Sequence, residues 1–147
     1  MKKIRHLGLI GMLIIAQSLA YSQANSVELK DGTGTVISTY SSINAAVSAI
    51  PLNLTQSYIV ELTAAYTAAN ETYPITISER SGASPTNTIT IRPALGAGLK
   101  TLNTSNPILV FDNADYVYID GREGGIGNSS SLSLICSATN STNTVTF

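Results

Sequence analysis

The chain has one histidine and one cysteine. The histidine is His6, so nothing after it can use the commonest general base or the commonest zinc ligand. A lone cysteine excludes an internal disulfide, and Cys136 is expected to be a small core residue. Charge is also scarce, at 12% of residues. There is no basic stripe with interleaved aromatics, which argues against a nucleic-acid partner. Long hydrophobic runs are missing too. The sustained one, Leu7 to Ala20, is about 14 residues long, whereas a helix crossing a bilayer needs roughly 20.

What the first residues do contain is a short basic start, Met1-Lys2-Lys3-Ile4-Arg5-His6, ahead of that apolar run. Ser22-Gln23-Ala24 then places small residues at the −3 and −1 positions of a cleavage site, with Ser18-Leu19-Ala20 as a second candidate. This is the layout of a cleavable export signal over residues 1–24. A lipoprotein signal would need a cysteine just after the apolar run, and Cys136 is far away. The expected mature chain, residues 25–147, carries five basic residues against nine acids, a net of −4. It is expected outside the cytoplasm, secreted or at the cell surface, with no membrane span of its own.

The polar residues of that chain are mostly Ser, Thr and Asn, which suit strands and turns. One helix stands out. Ile43, Ala46, Val47 and Ile50 fall at i, i+3, i+4 and i+7, Ser41 or Ser42 can cap the first amides, and Pro51 closes it. Elsewhere short apolar runs alternate with polar turns. They are Val27–Lys30, Val36-Ile37, Tyr58–Leu62, Ile75–Ile77, Ile89–Ile91, Ile108–Phe111, Tyr116–Ile119, Leu132–Ile135 and Thr144–Phe147. Ile59, Ile89 and Val117 form one spaced series, and Ile75, Ile108 and Leu132 a second. Two interleaved series with periods in the 20s and 30s predict one repeated supersecondary unit. A β-sandwich also gives evenly spaced strands and stays open as an alternative at this point.

Five stretches carry a family resemblance. Leu29-Lys30-Asp31-Gly32-Thr33-Gly34 followed by Tyr40–Pro51 resembles the opening of right-handed parallel β-helix proteins of the pectin-lyase-like group, where a short helix caps the first coil. Tyr66–Ile77, Thr88–Pro93 and Ala114–Arg122 resemble large secreted β-helix proteins of Bacteroidota that use the type IX secretion route. The resemblance implies an N-terminal cap and first coils of a right-handed parallel β-helix. The chain ends at Phe147 within what reads as a strand, and no C-terminal sorting domain is visible. The expectation is therefore an N-terminal piece of a longer solenoid, with downstream coils of the same polypeptide as its neighbour. Fast amide exchange is expected over residues 132–147. The acid pair, glutamine and arginine of pectinesterases have no match, and no pectate-lyase calcium site is apparent.

The densest polar group is Asp112, Asp115, Asp120, Arg122 and Glu123. Carboxylates on adjacent coils can hold calcium, which makes Asp112, Asp115 and Asp120 the metal candidates; no other cofactor is expected. The same region can bind a polysaccharide or cell-surface glycan, with Tyr116 or Tyr118 as the stacking face and Arg122 as a polar contact. The structural alternative is that Asp112-Asn113 and Asp120-Gly121 close turns and Arg122 pairs with a nearby acid. Gly121–Gly127 lacks the Lys-Ser/Thr ending of a phosphate loop. Tyr58, Tyr66 and Tyr73 are a further groove candidate or, alternatively, straddle the core boundary. The function expected is adhesive or glycan-binding with no catalytic residues in this chain. The competing expectation is the N-terminal part of a polysaccharide lyase or carbohydrate esterase.

Overall fold

A computed structural model describes residues 26–137 and the backbone of 145–146. The export signal expected over residues 1–24 lies outside the described residues, as do Thr144 and Phe147 of the last expected strand. Along the chain run β1 (Val27–Asp31), β2 (Val36–Tyr40), α1 (Ile43–Ser48), β3 (Tyr58–Leu62), β4 (Ile75–Ser78), β5 (Ile89–Pro93), β6 (Lys100–Thr104), β7 (Leu109–Asp112), β8 (Val117–Ile119), β9 (Leu132–Cys136) and β10 (Val145–Thr146). The protein is all-β, with few helical residues, and among the described residues no sheet closes into a barrel.

The first turn is made by one side chain. Asp31 Oδ1 accepts the N–H groups of Thr33 and Thr35, both at 2.9 Å, and the Thr33 hydroxyl at 2.6 Å. That closes the antiparallel β1–β2 hairpin. The helix that follows is only six residues long and is held at both ends. Ser42 Oγ accepts Ala45 N–H at 3.1 Å, and the distant Glu71 carboxylate accepts Ile43 N–H at 2.6 Å and Asn44 N–H at 3.3 Å. A local hydroxyl and a remote anion thus share the amides that a helix start leaves open. Arg80 Nη2 donates to the Val47 carbonyl near the other end at 3.2 Å. Ile43, Ala46 and Val47 turn inward, as the spacing predicted.

After the helix, β3 pairs antiparallel with β1, and the later ladders are parallel. β3 pairs with β5, β5 with β8, β4 with β7, β7 with β10, and β6 with β9. These ladders complete a five-stranded sheet ordered β2-β1-β3-β5-β8, a three-stranded sheet β10-β7-β4 and the pair β6-β9. Partners lie about one repeat apart in sequence: Tyr58 meets Ile89, Ile89 meets Val117, Ile75 meets Leu109, and Lys100 meets Leu132. Val60, Leu62, Ile75, Ile77, Ile89 and Leu102 face inward and are at most 1% exposed. Alternation sends their neighbours outward.

The two expected series are corrected in register. Ile59 pairs with Thr90 and points outward, whereas Tyr58 is the partner of Ile89. Leu132 joins a third ladder and pairs with Lys100 rather than continuing the Ile75–Ile108 series. That third ladder contains β6, which hydropathy could not reveal, because Lys-Thr-Leu-Asn-Thr has one apolar residue, Leu102. Lys100 is nevertheless buried, its ammonium donating to the Ala64 carbonyl at 2.9 Å. Cys136 also departs from expectation. It is half-buried at the end of β9, its thiol 3.6 Å from the Asn106 carbonyl.

Candidate functional site

Among the described residues the core between the sheets is closely packed. An apolar void between Leu62, Ile91, Leu102 and Ile119 measures about 10 Å³, and its purely apolar lining offers water no partner. On the surface, the outer face of the five-stranded sheet gathers Glu28, Lys30, Glu61, Arg92, Asp120 and Arg122.

Register aligns two rows across that face. Glu28 pairs with Glu61 and Glu61 with Arg92. Asp120 continues the row, since its N–H donates to the Ile91 carbonyl at 2.9 Å. The second row runs Lys30, Ile59, Thr90 and Tyr118. Glu61 is the hub of the first row. It is 3% exposed although it faces outward, because Lys30 and Arg92 fold over it. Lys30 Nζ bonds one carboxylate oxygen, and Arg92 Nε donates to the other at 2.7 Å. Glu28 holds the same ammonium at 3.0 Å. Burial opposes the Lys30 charge, but hydrogen bonds and charge from Glu61 and Glu28 outweigh it and hold its pKa above the ordinary ammonium value.

The last two strands add the exposed groups. Tyr118 is 52% exposed on the outer face. Two residues along lies Asp120, about 6.6 Å away at strand rise. Asp120 accepts a two-pronged contact from Arg122, Nε at 2.9 Å and Nη2 at 2.8 Å, plus the Arg122 N–H at 3.0 Å. The Arg122 hydrogen bond holds the Asp120 carboxyl below its usual range. Gly125 lies against Arg92 so closely that a Cβ there would sit 2.5 Å from Nη1. Its φ of 75° is one a glycine adopts freely. The Gly121–Gly127 stretch thus packs beside the charged row.

The six candidate residues divide into two groups. Tyr118, Asp120 and Arg122 come together on this face. Asp112, Asp115 and Tyr116 lie instead at the β7–β8 turn, where with Glu79 they line an open depression. Asn113 and Tyr116 in that turn have φ of 52° and 54°, the left-handed region that bulky residues rarely enter. Among the described residues, no group of three or more acidic, histidine or cysteine side chains is arranged to hold a metal ion. Tyr58 and Tyr66 are each 7% exposed and so do not line a groove; the Tyr66 hydroxyl donates to Glu71 at 3.0 Å. Sequence reading missed Glu28, Lys30, Glu61 and Arg92. One signal was present: a carboxylate inside the apolar run Tyr-Ile-Val-Glu-Leu, which needs a cationic partner if the strand is buried.

No protein-family model, curated protein or solved structure matches the chain. No helix among the described residues is long and apolar enough to cross a membrane.

Proposed function

We propose that this chain is a secreted or cell-surface module, built as the N-terminal cap and first coils of a right-handed parallel β-helix, that binds glycans and is not itself catalytic. The parallel ladders support the coil reading. A β-sandwich pairs its strands antiparallel, whereas here three ladders each join strands about one repeat apart, and the antiparallel hairpin with α1 sits at the start as a lid. At the far end the inward residues Val117, Ile119, Leu132 and Leu134 are only partly buried. Their counterparts in the preceding strands, Ile89, Ile91 and Leu102, are at most 2% exposed. A further coil of the same polypeptide is the neighbour that this gradient fits.

The observation that carries the binding reading is Tyr118. It is an exposed aromatic ring on a rigid strand, beside a carboxylate–guanidinium pair. A sugar ring can lie on the tyrosine while Asp120 accepts from, and Arg122 donates to, its hydroxyls. A glycan array probed with the purified protein tests this. The expected result is a defined set of bound glycans, weakened about tenfold, or 1.4 kcal/mol, by Tyr118→Ala with an unchanged circular dichroism spectrum. Turnover of pectin or alginate by the chain would overturn the binding reading in favour of a polysaccharide lyase or esterase fragment.

A further inference from the structure

We infer that the glycan recognised by the Tyr118 face is uncharged, not a polyuronate; this rests on the glycan-binding reading above. The ground is the pairing of charges on that face. It holds three cations, and each is already engaged by a carboxylate. Lys30 is held by Glu28 at 3.0 Å and by Glu61. Arg92 reaches Glu61 at 2.7 Å through Nε. Arg122 is forked onto Asp120 at 2.8 and 2.9 Å. Three acids and three bases leave no net charge to attract an anionic polymer.

A uronate carboxylate entering this face would either break one of those pairs or take the remaining Arg122 N–H groups right beside the Asp120 carboxylate. Either way it gains one ionic contact with an acid left beside it, an unfavourable like-charge approach. A neutral sugar meets no such conflict. The Asp120–Arg122 fork presents acceptor and donor side by side. Asp120 keeps unused lone pairs, and Arg122 keeps N–H groups beyond those spent on Asp120. Adjacent donor and acceptor match vicinal hydroxyls, each of which both gives and takes a hydrogen bond. The ring of Tyr118, two residues before Asp120 on the same face of the strand, supplies the apolar platform. No part of this recognition needs a charge on the ligand.

The test is native affinity electrophoresis of the purified protein through gels containing either a soluble neutral glycan panel or polygalacturonate and alginate, at low and high salt. Screening shortens the Debye length from about 30 Å at 0.01 M to about 3 Å at 1 M, so ionic binding separates cleanly from hydroxyl recognition. The expected result is retardation by at least one neutral glycan, altered less than about twofold by salt and lost in Tyr118→Ala, with none by the polyuronates. Asp120→Asn releases Arg122 and is expected to create polyuronate binding that salt abolishes. Wild-type binding to a polyuronate, lost in Tyr118→Ala and weakened by salt, would overturn the inference while leaving glycan binding in place. An Asp120→Asn variant without the gain would also count against it. No retardation by any glycan would remove both readings together.

Discussion

Glu61 offers the sharpest test of how this fold is held. Replacing it by glutamine keeps the shape and one acceptor but removes the charge that joins Lys30 on β1 to Arg92 on β5. Taking one partner from a fully buried ion pair costs about 3–5 kcal/mol. Two features lower that figure here. Lys30 and Arg92 side chains are 17% and 19% exposed, so water reaches both. Each also keeps a second acid, Glu28 at 3.0 Å for Lys30 and Asp120 close to Arg92. The expected loss is therefore about 2 kcal/mol. At about 2.1 cal/mol/K of unfolding entropy per residue, this lowers the midpoint of a chain of 147 residues by about 6–7 °C. Thermal unfolding by circular dichroism and urea titration would both register it. A double-mutant cycle with Arg92→Gln should show a coupling of about 1 kcal/mol or more, since the two side chains share a hydrogen bond. A loss under about 0.5 kcal/mol with no coupling would refute the reasoning. It would place Glu61 in the energetic class of solvated surface pairs, whatever its burial.

Two further outcomes follow from single side chains. Glu71→Ala uncaps Ile43 and Asn44 at the helix start and strips the Tyr66 hydroxyl of its acceptor, so a stability loss of about 1–3 kcal/mol is expected in urea titration. Glu71→Gln, which can still accept, should recover part of it. The pH dependence has two limbs of opposite sign. Asp31, Asp120 and Glu123 are all held below their usual carboxylate range, Asp31 chiefly by the Thr33 hydroxyl, Asp120 by Arg122 and Glu123 by Ser131 and the Gly96 and Gly98 amides. Their contribution is present above the ordinary carboxylate pKa, near 4, and is lost as pH falls through the depressed folded values. Lys30 is raised, so its contribution is intact below 10.5 and is lost as pH climbs through the folded value. Melting temperatures across pH 3–11 should therefore fall at both ends. Glu123→Gln should flatten the acid limb; an unchanged limb would contradict the Gly96–Gly98 clamp, whose two bonds are each 3.0 Å.

Most of the elements were legible in the chain itself, because local chemistry decides them. Ile43, Ala46, Val47 and Ile50 at helical spacing, Ser42 ahead of them and Pro51 behind them leave little else for that stretch to do. The alternation in Ile-Thr-Ile required one dry and one wet face. Turn residues at Asp31, Gly82 and Gly121 punctuated the strands. β6 escaped because burial there depends on what lies across from it. Lys100 can be buried only where the Ala64 carbonyl waits for its ammonium, and nothing in Lys-Thr-Leu-Asn-Thr announces that.

Which strands stand side by side was decided by tertiary structure alone. A shift of one residue exchanges the inner and outer faces, and the spacing by itself placed Ile59 opposite Ile89 when Tyr58 belongs there. The charged face depends on the same choice. Glu28, Glu61, Arg92 and Asp120 are about thirty residues apart along the chain, and they become neighbours only when parallel pairing sets their strands in register. Composition could count those charges; it could not say that Glu61 would be covered by Lys30 and Arg92, or that Tyr118 and Arg122 would stay exposed on that face.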